Sequence, residues 1–485
     1  MLLGTVLMAA GGCSEPRAAL EGYNLVLVNI DTLRADHLGC YGYERDTSPF
    51  LDSLCRNGVV FERANSNSSY TRESVTALFT GRLPSSSGST GWNAVPVRDT
   101  PTLAERLDAA GYATALFSNT VMLRRPGFDR GFDTARHLSR KWNSSGEEGR
   151  LSDQVLDHVA RRGARPFFIY VHYLDPHAPY QPRADALAAL GAQPHDAPVA
   201  LYEDVAPELA KLRSRGFGPG DPRFDDMVAR YDAEIRSTDS ALRALVEGLE
   251  RHSVLDQTLI IITADHGEEF LEHDYIEHGW TLYDEVIRVP LLFHAPGALK
   301  PARTRIGASH VDIVPTVLDL LGVEAPLEPT DGRRLFTRGA DGLIPTDEDR
   351  AQIAELVLPK RQIVRAVVDG KWKYITTHRS VPPDRRSEHD GEAAAAGPAV
   401  SWGPVVREEL YDLDRDPEER RNLLIAGDEP EAARVRDRLG DHLRDLRART
   451  ASRQPTRLPA AVPDIPPEDR AHLQALGYLD VDDSD

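Results

Sequence analysis

The sequence has few cysteines, a deficit of basic residues and no internal apolar run long enough to cross a membrane. Three cysteines in 485 residues cannot form a disulfide framework, and their spacing fits no zinc finger or zinc ribbon. Lys and Arg number 57 against 76 Asp and Glu, which gives a formal net charge of -19. Because such a field repels phosphate backbones, we expect no nucleic-acid partner.

The bulk composition is that of a folded, water-soluble protein. Hydrophobic residues make up 41% of the chain, charged residues 27%, and the mean hydropathy is -0.40. At ~100–200 residues per domain, this length predicts about two to four domains and a large core.

The first 13 residues have the pattern of a signal peptide. Residues 1–12 form an uncharged apolar stretch that is too short to span a bilayer, and Ala10-Gly11-Gly12-Cys13 resembles a bacterial lipobox. We therefore expect lipidation at Cys13, an anchor in the membrane, and an exported protein of the cell envelope or periplasm. The alternatives are ordinary secretion or a buried N-terminal segment.

The other two cysteines lie in the first part of the folded chain. We expect Cys40 and Cys55 to be small buried residues, and a disulfide between them is the alternative in an oxidising compartment.

Three apolar runs predict buried parallel strands. Residues 24–28, 166–171 and 259–263 are rich in β-branched and aromatic side chains, and each stands between helix-like segments. Helices are predicted over residues 102–110 and 226–252. The pattern indicates an α/β fold.

Polar side chains that can bind metals follow all three runs. Since the carboxyl ends of parallel strands meet at one edge of a sheet, we expect these side chains to form a site there. The residues are Asp31 after the first run, His172, Asp175 and His177 after the second, and Asp265 and His266 after the third.

The composition changes after residue 345. Residues 364–375 predict a hairpin with its turn at Asp369-Gly370, and residues 409–413 predict another strand. We therefore predict a catalytic α/β domain over 23–345 and a smaller α+β subdomain over 346–445. Residues 381–403 are expected to be a long loop, and 446–485 a Pro-rich tail.

Thr71 stands at the first turn of a short predicted helix that ends at Gly81. Unpaired N–H groups and the positive end of the helix dipole favour an alkoxide at such a position, so Thr71 is a candidate nucleophile. The alternative is a simple helix cap.

The motifs around these residues resemble the sulfatase family of the alkaline phosphatase superfamily. Sulfatases carry Cys or Ser nine residues before a Thr-Gly-Arg-like ending, and Thr71 stands nine residues before Thr80. Further matching segments follow in the family's order: 31–42, 175–180, 263–268, 278–285, 288–290, 312–316, 409–413 and 416–417.

The resemblance implies a mostly parallel sheet sandwiched by helices, with a smaller C-terminal α+β subdomain. It also implies one divalent ion, Mn²⁺ first, with Mg²⁺, Ca²⁺ or Zn²⁺ as alternatives. His177 and His278 would contact the transferred group or the leaving group. The implied metal ligands are Asp31, Thr71, Asp265 and His266.

Three positions depart from the sulfatase pattern. Thr71 replaces the residue that becomes formylglycine, Val75 replaces an Arg, and Thr32 replaces a second metal-binding Asp. A threonine nucleophile is instead similar to lipoteichoic acid synthases and nucleotide pyrophosphatases, and the Asp-His pair is similar to phosphonate monoester hydrolases.

We therefore predict a hydrolase or transferase of phosphate or sulfate esters, with phosphoesters favoured. Its substrate would be a sulfated or phosphorylated glycan, lipid or small molecule. One alternative is a true sulfatase without formylglycine that uses plain threonine, Ser69 or Ser74. The other is a non-catalytic binding protein.

Overall fold

The computed structural model describes residues 20–91, 94–97, 99–138, 147–191, 214, 216–324, 330–339, 342–358, 362–379, 403–426 and 430–451. The expected lipidation site at Cys13, nearly all of the expected loop over 381–403 and the Pro-rich segment after residue 451 lie outside these ranges. Among the described helices, none is both long and apolar enough to cross a membrane.

An eight-stranded sheet forms the centre of the larger part of the molecule. Its order is β10-β2-β9-β6-β1-β5-β3-β4, and every pairing is parallel except those of β9 with β2 and β6. The strands are β1 (Asn24–Ile30), β2 (Val59–Asn65), β3 (Ala113–Ser118), β4 (Thr134–His137), β5 (Phe167–Tyr173), β6 (Thr258–Thr263), β9 (Leu291–His294) and β10 (Ala302–Ser309).

The three strands predicted from apolar runs lie side by side at the middle of this sheet. β1 pairs with β6 on one side and with β5 on the other, with Val28 opposite both Ile262 and Val171. These strands are buried on both faces, which explains why their sequences are continuous apolar runs rather than alternating patterns. The predicted fold class is confirmed.

Helices cover this sheet and connect its strands. The predicted helix over 102–110 begins after Thr102, which forms a capping box with Glu105, and the predicted helix over 226–252 is the 30-residue α7. The helices are α1 (Pro49–Asn57), α2 (Thr71–Thr80), α3 (Pro84–Ser87), α4 (Leu103–Ala109), α5 (Glu148–Ala160), α6 (Ala184–Ala189), α7 (Pro222–Arg251), α8 (Asp284–Ile287) and α9 (Ile313–Leu321).

The C-terminal subdomain is a four-stranded antiparallel sheet covered by a helix. Its hairpin turns at Gly370 and Lys371, one residue later than predicted, because Asp369 still pairs with Trp372, and Gly370 supplies the positive φ of 60°. The remaining strands form two small sheets, β7 with β8 and β11 with β12. The elements are β7 (Glu269–Phe270), β8 (Ile276–Glu277), β11 (Phe336–Gly339), β12 (Gly342–Pro345), β13 (Gln352–Leu358), β14 (Gln362–Asp369), β15 (Trp372–Arg379), β16 (Val405–Asp412), α10 (Leu423–Ala426) and α11 (Pro430–Ala451).

Helix α11 packs on the C-terminal sheet through Leu439 and Leu443, which share a buried cluster with Val367 and Leu410. The helix continues to Ala451, so the residues after 445 begin as helix and not as the extended tail we expected. Leu446 is also buried, so the helical spacing of buried apolar residues continues past residue 445.

A buried lysine joins the subdomain to the larger part of the molecule. Lys373 Nζ on β15 lies 2.9 Å from Asp284 Oδ1 at the start of α8 and 2.9 Å from Glu419 Oε2. Glu419 Oε2 also accepts a hydrogen bond from the backbone N–H of Asp284. We call these three residues the lysine clamp.

Cys40 and Cys55 are joined in a disulfide. We had expected two unbonded small residues, and the structure supports the alternative instead. The reason is tertiary, because α1 folds back against the Gly39–Tyr41 turn and brings the two Cα atoms to 6.3 Å.

Candidate active site

Asp31, Asp265 and His266 meet at the carboxyl edge of the central sheet. Asp31 follows β1, and Asp265 and His266 follow β6, the neighbouring strand. All three side chains are buried. The strand ends therefore bring together the residues that the sequence predicted to meet.

The hydrogen bonds of His266 fix which ring nitrogen faces the site. Nδ1 lies 3.0 Å from the Gly267 carbonyl oxygen, which can only accept, so Nδ1 carries the proton and Nε2 presents a lone pair. Nε2 lies 3.1 Å from Thr71 Oγ1, 3.5 Å from Asp265 Oδ2 and 3.9 Å from Asp31 Oδ1. Four atoms that can bind a metal ion, one from each of these residues, therefore lie close together.

Thr71 reaches this cluster because α2 is tightly packed against the Asp265 loop. Ser74 Oγ, one turn along the helix, donates a hydrogen bond of 2.6 Å to the backbone carbonyl of Asp265. Tyr70 is extended and precedes the helix, so the Thr71 hydroxyl projects from the first turn. The helix ends at Gly81 in the left-handed conformation, as predicted.

Two carboxylate oxygens in the cluster lack hydrogen-bond partners. Asp31 Oδ1 and Asp265 Oδ2 are buried and have none among the described residues. Burial, with the nearby Asp265 carboxylate, raises the pKa of Asp31 to about 8. Two such oxygens, an imidazole nitrogen and a hydroxyl oxygen suit a divalent cation, so these residues fit the metal that the resemblance implies.

His172 lies beside this cluster but serves a different purpose. One donor atom each from Asp31, His172 and Asp265 lie within 4.8 Å of one another, which alone would make His172 a ligand. Its Nδ1, however, faces the Asn29 amide nitrogen at 3.3 Å, so Nε2 carries the proton and donates to Asp31 Oδ2 at 3.0 Å.

The proton on Nε2 makes His172 a positioning residue. It holds Asp31 Oδ2 and leaves Asp31 Oδ1 directed at the cluster, as outer hydrogen bonds do for many metal ligands. Burial lowers the pKa of His172 to about 4, which keeps the ring neutral. The sequence pointed to His172 as a candidate but not to this orientation.

His177 and His278 lie together on one side of the cluster. The ring of His278 is 4.2 Å from that of His266 and 5.0 Å from that of His177. Nδ1 of His278 is held by Glu268 Oε1 at 2.8 Å, and Tyr180 donates to the other Glu268 oxygen. Burial lowers the pKa of His278 to about 4 and raises that of Glu268 to about 7.

The two other candidate nucleophiles face away from this cluster. Ser69 Oγ donates to the Thr281 carbonyl at 2.7 Å, and Ser74 Oγ donates to the Asp265 carbonyl. Thr71 is the one of the three whose hydroxyl faces His266 Nε2.

The remaining departures from the sulfatase pattern also have a structural setting. Val75 is fully buried in the hydrophobic core. Thr32 has a φ of 54°, rare for a β-branched residue, and its backbone N–H lies 3.4 Å from Asp265 Oδ1. Thr32 therefore contacts Asp265 through its backbone N–H and offers no carboxylate at this position.

Sequence reasoning missed His310. It follows β10, and its Nδ1 lies 3.0 Å from Ser74 Oγ, so it supports the helix that carries Thr71. Burial lowers its pKa to about 4. The signal that could have located it is the capping box of Ser309 and Asp312 around it.

Residues 23–323 match the family model described as Sulfatase. The chain belongs to the sulfatase family. A relative named Uncharacterized sulfatase YidJ, from Escherichia coli (strain K12), is 24% identical over 464 residues, which cover 87% of this chain and 86% of the relative.

Solved structures with this fold include sulfatases and phosphonate hydrolases. One, in complex with its substrate D-glucosamine-2-N,6-O-disulfate, has a TM-score of 0.70 at 19% identity and covers 90% of this chain and 99% of that chain. The phosphonate monoester hydrolase of Agrobacterium radiobacter has a TM-score of 0.66 at 20% identity, with coverages of 88% and 96%.

Membership of the sulfatase family makes the chain an ester-hydrolysing enzyme. The alternative of a non-catalytic binding protein is therefore wrong. The family generally uses a divalent metal, and Asp31 and Asp265 belong to a buried cluster that could hold one.

Proposed function

We propose that this sulfatase-family enzyme is a metal-dependent hydrolase of phosphate-type and sulfate-type esters that uses Thr71 as its nucleophile and cleaves phosphoesters faster. One observation carries the proposal: Thr71 Oγ1 lies 3.1 Å from His266 Nε2, beside two buried carboxylate oxygens without hydrogen-bond partners among the described residues. That arrangement combines a hydroxyl with the donor set of a divalent cation.

Asp31 Oδ1, Asp265 Oδ2, His266 Nε2 and Thr71 Oγ1 would hold the ion. When bound, it would lower the pKa of the Thr71 hydroxyl and neutralise charge on the ester oxygens. The nitrogen ligand favours Mn²⁺ over Mg²⁺ or Ca²⁺, with Zn²⁺ as the alternative. His172 would keep Asp31 oriented through the hydrogen bond of 3.0 Å.

The reaction has two steps. Thr71 Oγ passes its proton to a neutral imidazole of the His177–His278 pair and forms a bond to phosphorus, while the bond from phosphorus to the alcohol oxygen breaks and that oxygen takes up a proton. Water then attacks phosphorus, the bond to Thr71 Oγ breaks, and the hydroxyl regains a proton. The net change is ester plus water to alcohol plus phosphate.

His177 and His278 would contact the transferred group and the leaving oxygen. Glu268, 2.8 Å from His278 Nδ1, would stabilise the imidazolium that forms when the neutral ring takes up a proton on Nε2, and Nε2 would then give that proton to the departing alcohol. The ring of His278 lies 4.2 Å from that of His266 and 5.0 Å from that of His177, so both imidazoles are held next to the cluster.

The nucleophile is the reason to favour phosphorus over sulfur. A formylglycine hydrate can expel sulfate by eliminating back to the aldehyde, whereas a sulfated threonine has no such exit. A phosphothreonine can be resolved by attack of water at phosphorus. Val75 in place of the Arg of the sulfatase pattern argues in the same direction, since the residue set that accompanies formylglycine is incomplete here.

We further propose an anionic ester of a glycan, lipid or small molecule as substrate, and an exported protein with a lipid anchor at Cys13. The relatives' names, which include a phosphonate monoester hydrolase and a sulfated glucosamine as substrate, support the substrate class. The disulfide between Cys40 and Cys55 supports an oxidising compartment.

A matched substrate panel tests the proposed reaction. The full chain is assayed with Mn²⁺ on a phosphate monoester, a phosphodiester, a phosphonate ester and a sulfate ester of one aryl alcohol. We expect the phosphorus esters to be cleaved at least about tenfold faster, with all turnover lost in Thr71→Ala. A Thr71-dependent preference for the sulfate ester would instead establish the second candidate, a sulfatase that uses plain threonine.

Membrane partitioning tests the anchor. The native protein should enter the detergent phase, and Cys13→Ser should remain in the aqueous phase. If the variant still fractionates with membranes, lipidation at Cys13 is not the anchor.

A further inference from the structure

A second group of possible metal ligands lies outside the proposed catalytic cluster. It consists of Glu269 on β7, His273 in the β7–β8 connection and Glu285 on α8. One donor atom from each residue lies within 4.8 Å of the other two. Glu269 and Glu285 are buried, and His273 is partly buried.

The hydrogen bonds of His273 direct its Nδ1 at this group. Nε2 lies 3.2 Å from the backbone carbonyl oxygen of Glu419, which can only accept, so Nε2 carries the proton. Nδ1 lies 2.5 Å from Glu285 Oε1, which is also an acceptor. Because two acceptors repel each other at this distance, either a proton on Nδ1 or a bound cation must lie between them. The Tyr283 ring, stacked at 3.5 Å, fixes the plane of the imidazole.

Glu269 supplies the observation that points to a cation. It is fully buried, and Oε1 accepts a hydrogen bond of 3.0 Å from Thr281 Oγ1. Oε2 has no hydrogen-bond partner among the described residues. Burial, with the nearby Glu285, raises the pKa of Glu269 well above its ordinary value. The salt bridges within the described ranges pair no Lys or Arg with Glu269 or Glu285.

The surroundings resemble the outer hydrogen bonds of a metal site. Metal-binding imidazoles commonly donate their other N–H to a backbone carbonyl, and metal-binding carboxylates are commonly hydrogen-bonded at the other oxygen. Glu419 and Thr281 provide these two contacts here.

We propose that Glu269, His273 and Glu285 form a second divalent-cation site with a structural role. Two carboxylates and one imidazole suit a first-row ion of the Mn²⁺ or Zn²⁺ type. Because Glu419 contacts both His273 and Lys373, an ion here would brace the β7–β8 hairpin and α8 against the C-terminal subdomain. The site shares no ligand with the proposed catalytic cluster.

Metal content tests the proposal. The full chain is loaded with Mn²⁺ alone or Zn²⁺ alone, freed of excess ion, and measured by elemental analysis. We expect two ions per chain in the wild type, and one each in Glu269→Gln, His273→Gln and Asp265→Asn. Glu418→Gln, a matched change of an exposed carboxylate, should retain two.

Thermal unfolding provides a readout independent of catalysis. In Asp265→Asn, adding Mn²⁺ or Zn²⁺ at about 100 times its Kd should still raise the Tm by about 3 °C, through the second site. The same addition should not raise the Tm of the double variant Asp265→Asn with Glu269→Gln. Glu269→Gln is nearly isosteric, so it serves if His273→Gln does not fold.

The outcomes separate this proposal from the proposed function. A single ion that is lost in Asp265→Asn but retained in Glu269→Gln would overturn the second site. A single ion that is lost in Glu269→Gln but retained in Asp265→Asn would support the second site and contradict the proposed catalytic ligands.

Discussion

The proposed catalytic cluster and the lysine clamp are both buried groups of charged side chains, but they are completed differently. In the catalytic cluster, Asp31 Oδ1 and Asp265 Oδ2 have no hydrogen-bond partner among the described residues. In the clamp, Lys373 Nζ lies 2.9 Å from a carboxylate oxygen on each side. We infer that a buried cluster that contains its own Lys or Arg stabilises the fold. A buried cluster of carboxylates without such a cation can instead bind a metal ion.

Among the variants that test this comparison, Thr71→Ala should have the largest effect on activity. Removing the nucleophile should lower kcat/KM by at least about 10⁴-fold, equivalent to about 5.5 kcal/mol, while the free energy of unfolding changes by less than about 1 kcal/mol. Steady-state kinetics and urea unfolding measure the two quantities. Ser69→Ala, which removes a hydroxyl directed at a backbone carbonyl, should stay within about tenfold of the wild-type rate. Turnover by Thr71→Ala within tenfold of wild type would disprove the role.

Asp265→Asn should separate metal binding from stability. Loss of one carboxylate ligand should reduce activity by more than about 10³-fold and remove the catalytic ion, because the cation loses half of its anionic ligands. The free energy of unfolding of the metal-free variant should lie within about 1 kcal/mol of that of the metal-free wild type, because Asn has nearly the shape of Asp and its Oδ1 can still accept the hydrogen bonds from the backbone N–H groups of Thr32 and His266. Elemental analysis and unfolding in chelator measure both effects. Full metal content and full rate in the variant would contradict the ligand assignment.

Lys373→Met should have the opposite effect. It leaves Asp284 and Glu419 without their buried cation, which should cost about 4 kcal/mol of unfolding free energy. Its matched control on the same hairpin is Lys371→Met, a half-exposed lysine paired with Asp412, which should cost about 1 kcal/mol or less. If both variants lost the same free energy of unfolding in urea titrations, the lysine clamp would have no special stabilising role.

Reducing the disulfide should have the smallest effect of the four. The cysteines are 15 residues apart in sequence, and closing a loop of that length constrains the unfolded chain by about 3 kcal/mol in the entropic model, often less in practice. Unfolding with and without reductant measures this. Cys40→Ser with Cys55→Ser should not respond to reductant. An unchanged midpoint for reduced wild type would show that the bond adds no stability.

The central strands and most residues of the catalytic cluster could be predicted because one physical pattern marks them. Strands buried on both faces are continuous apolar runs, and their carboxyl ends bring the following polar residues to one edge. Asp31, Asp265 and His266 were found in this way. Thr71 was found from its place in the first turn of a helix that ends at Gly81.

The rest depended on contacts that local patterns do not encode. β10 is an edge strand whose two exposed side chains, Arg303 and Arg305, alternate with partly buried ones, so neither the strand nor His310 after it was apparent. Lys373 and Glu419 lie 46 residues apart and meet only through tertiary packing. The role of His172 is set by the Asn29 amide on the neighbouring strand, a contact across 143 residues of sequence.

The order of the central sheet has a consequence for when the enzyme can acquire its ion. β1 pairs with β5 and β6, so the first of these strands gains its second neighbour only after the chain has been synthesised past residue 263. No partial product that ends before residue 266 can hold Asp31, Asp265 and His266 together. Metal capture therefore waits for more than half of the chain, and the ions present in the compartment where the central sheet is completed decide which ion the site receives.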